Sequence, residues 1–152
     1  MPETVENFRQ LCSGENTLTY KGTKVTKCVP NMLIEAGNVN GNGRATIYGE
    51  TMPKEATDQA VFSKRGIVAM VDTDANSVGS KFFISLGDLS YLNYKAVVVG
   101  EVVENLAGLF QLSRLGDANG NLNTEVVISD CKEGETMHLV EPHHDSHGHA
   151  AH

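Results

Sequence analysis

Two stretches of this chain carry side chains able to do chemistry. The first runs Val25-Thr26-Lys27-Cys28-Val29-Pro30 and continues into Asn31-Met32-Leu33-Ile34-Glu35. Lys27 and Glu35 stand symmetrically about Asn31, so on an antiparallel hairpin an ammonium lies directly opposite a carboxylate. As a solvated cross-strand ion pair this contributes roughly a few tenths of a kcal/mol. The second stretch is Val68 to Ser85, where small residues from Asp74 to Gly79 lead into Lys81-Phe82-Phe83-Ile84. Strand side chains alternate, so one of the paired aromatics enters a core while the other faces the opposite way.

A third group lies near the C-terminus, where His143, His144, His147 and His149 stand close to carboxylates. Imidazoles so placed can take a transition metal, but their spacing fits no closed zinc site, and a flexible histidine-rich segment binds metals adventitiously. No metal and no cofactor are expected. The three cysteines, Cys12, Cys28 and Cys131, show no ligand spacing, and an odd number argues against a disulfide framework. All three are expected to be reduced structural thiols.

The elements that must position these groups are short. Pro2 to Cys12 reads as a helix, with Pro in its first turn, Glu3 and Glu6 at its positive end and Gly14 past its stop. Val5, Phe8, Leu11 and Cys12 share one face of it. Val103 to Leu115 reads as a second helix on the period of Leu106, Leu109, Phe110 and Ser113, ended by Gly116. Six β-branched runs remain, at 24–29, 33–36, 66–71, 81–85, 96–103 and 125–130, separated by turn-formers such as Gly41-Asn42-Gly43 and Asn119-Gly120-Asn121. The fold class is mainly β: an antiparallel barrel capped by two helices.

Size and charge narrow the function. A chain of 152 residues makes one domain, able to bury roughly two-thirds of its unfolded surface. No apolar run approaches the ~20 residues of a membrane span, and no signal-peptide core opens the sequence, so an intracellular protein without a membrane span is expected. Residues 133–152 form an acidic, histidine-rich tail that holds Glu133, Glu135, Glu141 and Asp145 but no Lys or Arg. It supplies four of the seven net negative charges and leaves the body, residues 1–132, at minus three. With no basic surplus or interleaved basic and aromatic platform, nucleic acid is not an expected partner. A tail of this composition is expected to lack structure on its own.

From about Pro2 to Lys132 the chain resembles the cyclophilins, the peptidyl-prolyl isomerases. The motifs in order are Tyr20-Lys21-Gly22-Thr23, Pro30, Ile47-Tyr48-Gly49-Glu50, Gly66-Ile67, Gly79-Ser80, Phe82-Phe83 and Ile128-Ser129-Asp130-Cys131. The resemblance implies an eight-stranded barrel, and in that family a strand hairpin precedes the first helix. Here the sequence opens at the helix, so the first two strands are expected to be missing from it. The open edge would be covered by a partner, completed by residues upstream of this sequence, or rebuilt locally.

The resemblance also implies a chemistry. Prolyl isomerisation breaks no covalent bond; its barrier of ~20 kcal/mol is amide resonance lost on twisting. A fixed donor aimed at the proline nitrogen stabilises the twisted amide, while an apolar pocket holds the ring. Lys27 occupies the position of the family's arginine donor but lacks its planar fork. Glu35 replaces the glutamine that orients that donor. Phe83 and Leu92 match the proline pocket, Met32 replaces a pocket phenylalanine, and Leu33 lies beside it. Val71 and Asp72 stand for an Ala-Asn peptide-binding strand, Lys81 for a glutamine, Tyr91 for a tryptophan and Ala96 for a histidine. Thr73, in place of a small alanine, is expected to narrow a secondary pocket.

The catalytic set is therefore Lys27, in degenerate form, with Phe83; the substrate-binding set is Met32, Leu33, Glu35, Val71, Asp72, Lys81, Tyr91, Leu92 and Ala96. Expected is a cyclophilin-like domain of weak or absent isomerase activity that binds protein, either a proline-containing peptide or neighbouring subunits of a hetero-oligomeric assembly. The alternative is a divergent active isomerase assisting protein folding.

Overall fold

The computed structural model describes residues 2–15, 17–131, 137–140 and 149–151, and it is mainly antiparallel β with two helices. Helix α1 spans Pro2–Ser13 and ends at Gly14, whose φ of 76° suits a residue without Cβ. Its buried face is the expected one at Leu11 and Cys12, with Phe8 packed against the same core, but not at Val5. Val5 is 41% exposed, whereas Thr4 and Asn7 are fully buried with Leu11. The polar residues go inside because their hydrogen bonds are met there. Thr4 N–H donates to Glu55 Oε1 at 2.8 Å, its hydroxyl donates to the same oxygen, and Asn7 Oδ1 accepts from Ile47 N–H at 2.9 Å.

The strands that frame the site follow. They are β1 (Val25–Val29), β2 (Leu33–Ala36), β3 (Met52–Pro53), β4 (Ile67–Asp74), β5 (Ser77–Ser85) and β6 (Val98–Glu101). All pairings are antiparallel, in the order β1-β2-β5-β4-β6, with β3 on the far end of β5. The loop expected over Asp74 to Gly79 is mostly strand, since β5 already begins at Ser77. Gly79 explains why the strand can run there: a Cβ at this position would meet Gly43 O at 2.0 Å, so only glycine lets the two backbones cross.

Helix α2 is shorter than its periodicity suggested, Leu106–Ser113, because Asn105 sits in the left-handed region at φ 60° and breaks the chain direction ahead of it. Ser113, fully buried, accepts from Asn31 N–H at 3.0 Å and so ties this helix to the β1-β2 turn.

The C-terminal strand β7 (Val127–Cys131) meets residues 22–25 on one side, through Gly22 N–H to Ile128 O at 2.7 Å and Val25 N–H to Val126 O at 2.8 Å. On its other side it pairs with β8 (Met137–Val140), which pairs with β9 (His149–Ala151). Two segments of the tail are thus strands rather than unstructured chain. The edge of β7 offers them a row of backbone donors and acceptors that composition alone does not reveal. The cysteine expectation is also corrected: Cys28 is a buried free thiol, but Cys12 is disulfide-bonded. Pairing depends on tertiary proximity, which sequence spacing does not encode.

Phe82 and Phe83 separate as alternation requires. Phe82 enters the main core with Leu11, Ile34, Met70, Leu109 and Ile128, and its ring stands edge-on to Tyr20 and Phe8 at 5.1 and 5.4 Å. Phe83 belongs to a second, smaller cluster with Phe62, Ile67, Ala69, Leu89 and Ala96.

Candidate functional site

The site is a transverse row of side chains on the sheet face away from the main core. Register places Lys27 opposite Glu35, Glu35 opposite Phe83 and Phe83 opposite Ala69, across β1, β2, β5 and β4. Phe83 is 7% exposed and its ring stacks on Phe62 at 5.9 Å with 29° between planes. Phe62 is held by its backbone, which donates to Asn93 Oδ1 at 3.0 Å and accepts from Leu89 N–H at 2.8 Å. Over Phe83 opens a cavity of about 300 Å³ walled by Leu33, Glu35, Val71, Asp72, Leu92 and Ala96. Seven of the expected residues, counting Phe83, therefore converge on one apolar hollow with charged groups at its rim.

Four expected residues do not line it. Met32 is 37% exposed and Tyr91 66% exposed, the latter on a single 3-10 turn, Ser90–Leu92. Lys81 reaches the rim only indirectly, through its Nζ, which lies 2.9 Å from Glu35 Oε1. Lys27 turns aside: its stem runs over Gly120, where an added Cβ would fall 2.5 Å from Lys27 Cγ. The expected Lys27–Glu35 ion pair is therefore absent although the two residues are in register. A bulge between Val25 and Lys27 shifts the ladder at that point, and Lys81 already holds the carboxylate. Thr26 Oγ1, 3.2 Å from the same Oε1, holds it further.

Three contributors were not read from the sequence. Met70 and Lys95 also wall the cavity. Lys54 Nζ lies 2.7 Å from Asp72 Oδ2, with only 18% of the lysine side chain exposed. Lys95 adjoins Ala96, so its neighbourhood was legible; the Lys54–Asp72 pairing joins the residue after β3 to β4, and no motif links the two. Thr73 is not among the residues that wall the neighbouring cavity of about 460 Å³, and its hydroxyl lies 2.6 Å from Ser77 Oγ.

Among the described residues there is no group of metal-ligating side chains. His143, His144 and His147 lie outside the described residues, and of His149 only the backbone is described. No helix among the described residues is long and apolar enough to cross a membrane.

The cavity is built on strands and floored by the ring of Phe83, which is itself stacked on Phe62. The pattern of the cyclophilin-type peptidyl-prolyl cis-trans isomerases matches residues 1–133. Among curated proteins, a peptidyl-prolyl cis-trans isomerase of Encephalitozoon cuniculi is 35% identical over 136 residues, covering 86% of this chain and 78% of its own length. Peptidyl-prolyl cis-trans isomerase CYP21-1 of Arabidopsis thaliana is 36% identical over 144 residues, 88% of this chain and 64% of its own length. The chain belongs to the cyclophilin-type peptidyl-prolyl cis-trans isomerase family.

Proposed function

We propose that this domain binds proline-containing segments of other proteins over Phe83 and isomerises them slowly. The observation that carries this is the split between an assembled ring pocket and a donor that stands outside it. Phe83, Leu92, Leu33 and Ala96 supply the apolar walls, while the one cation at the donor position, Lys27, lies over Gly120 and is not part of the cavity wall. Losing one well-placed donor costs ~2.7 to 4 kcal/mol of transition-state stabilisation, two to three decades in rate, without removing ground-state binding.

A second reading, the active folding helper, is favoured by one feature. Lys27 has no ion pair or side-chain hydrogen bond among the described residues, so its ammonium is uncommitted and a four-carbon stem could swing it toward a bound peptide. A role as a structural subunit loses part of its motive, since β8 and β9 of this same chain pair along one edge of β7. Exchange spectroscopy on a prolyl tetrapeptide separates the readings: peptide shifts with slow exchange support the first, and turnover near that of a family enzyme supports the second.

A further inference from the structure

Two cavities adjoin here, and they share Asp72, Leu92 and Lys95. The charges on their walls are nearly all answered from within the protein. Glu35 is paired with Lys81 at 2.9 Å, and Asp72 with Lys54 at 2.7 Å. Glu55 accepts from the Thr4 amide and hydroxyl. Lys95 is different: among the described residues its ammonium has neither an ion pair nor a hydrogen bond, although it stands on the wall common to both cavities.

Resting on the peptide-binding reading above, we infer that Lys95 selects prolyl segments with an acidic side chain within two residues of the proline. A peptide whose ring sits over Phe83 advances ~3.3 Å per residue, so its near neighbours reach the adjoining cavity. A basic side chain there would meet an unpaired like charge and carboxylates that are already occupied. An acidic one gives Lys95 the partner the fold withholds. The preference comes from this one residue and not from the molecule's overall field, because the net charge of −7 repels acidic ligands at long range.

The test uses the full chain and tetrapeptides that differ only in carrying Glu, Ala or Lys beside or one residue removed from proline. Binding is read from amide shifts and turnover from exchange spectroscopy. An exposed pair of this kind predicts about three- to fivefold tighter binding of the Glu peptide than of the Lys peptide. Lys95→Glu should invert that order and Lys95→Gln should abolish it. Raising salt to ~1 M, where the screening length is ~3 Å, should shrink the ratio toward one. Peptides that bind equally well, or a Lys peptide that binds better, overturn the inference and leave the peptide site standing. If no prolyl peptide shifts any amide around Phe83, the peptide-binding reading falls and this inference falls with it.

Discussion

Glu35 lies between two lysines and belongs to one of them. Lys27 is its register partner across the β1-β2 hairpin, yet the carboxylate is taken by Lys81, two residues before Phe83 on the other neighbouring strand, at 2.9 Å. The donor position is thereby left without an orienting neighbour, and the orienting position is neutralised by a cation that is not part of the cavity wall. Prolyl-peptide turnover is expected about two decades or more below that of a typical family enzyme. Lys27→Arg combined with Glu35→Gln should raise it, since a guanidinium can brace on a neutral amide and donate at once. Exchange spectroscopy on one tetrapeptide measures both; wild-type turnover within tenfold of a family enzyme, or a fall in the double variant, refutes the assignment.

Cyclosporin should bind weakly. The family's tryptophan indole donor is replaced by Tyr91, which is 66% exposed and outside the cavity wall, and Glu35, Asp72 and Ala96 alter the rest of the contact surface. Since each ~1.4 kcal/mol is tenfold, loss of several contacts places the dissociation constant at micromolar or weaker. A nanomolar value by calorimetry would contradict this.

The crossing at Gly79 should tolerate no side chain. In Gly79→Ala the new Cβ would lie 2.0 Å from Gly43 O and 2.8 Å from Arg44 Cα, both backbone atoms with little room to give. Overpacking of this sort costs ~1 to 3 kcal/mol, so Tm should fall by about 2 to 12 °C in a chain of this length. Gly100→Ala, which meets nothing within 4 Å, is the control and should change Tm by no more than a degree or two, about what surface substitutions give. Equal Tm values for the two variants would show that the crossing relaxes freely.

The sequence made the strands legible because their β-branched runs are bounded by glycine and asparagine turns, and it made Phe83 legible because alternation forces Phe82 and Phe83 apart. It placed Phe8, Leu11 and Cys12 of α1 correctly but misassigned Val5, because hydropathy prefers Val5 whereas the fold gives Thr4 and Asn7 hydrogen-bond partners 40 or more positions away. Lys27 and Glu35 were correctly set in register, but the choice between Lys27 and Lys81 as the partner of Glu35 depends on which strand lies on the other side of β2. No local pattern states that. The Lys54–Asp72 pair and the Cys12 disulfide were hidden for the same reason.

Cys28 should be inert. It is fully buried, and burial pushes its thiol up to about 12, so almost none of the reactive thiolate exists near neutrality. Iodoacetamide at pH 8 should leave the Cys28 peptide unlabelled in the folded protein and label it in denaturant, as read by mass spectrometry. Rapid labelling without denaturant would mean that β1 opens readily.

The tail should matter most to β7. Its backbone is paired on both sides, to residues 22–25 and to β8, and β9 extends the same sheet. Ending the chain at Lys132 removes β8 and β9 and returns one edge of β7 to water. Exposed edge groups find water partners, so each lost hydrogen bond costs only about 1 kcal/mol net, and the domain should still fold. Tm should fall by several degrees, and amide exchange should quicken at alternate β7 residues, those whose N–H groups face β8, more than at Ile128, whose N–H donates to Thr23 O at 2.8 Å. A truncated chain that matches the full one in Tm and in β7 exchange would mean that the tail strands contribute nothing to the sheet. A chain that no longer folds at all would mean that β7 depends on them for more than its edge.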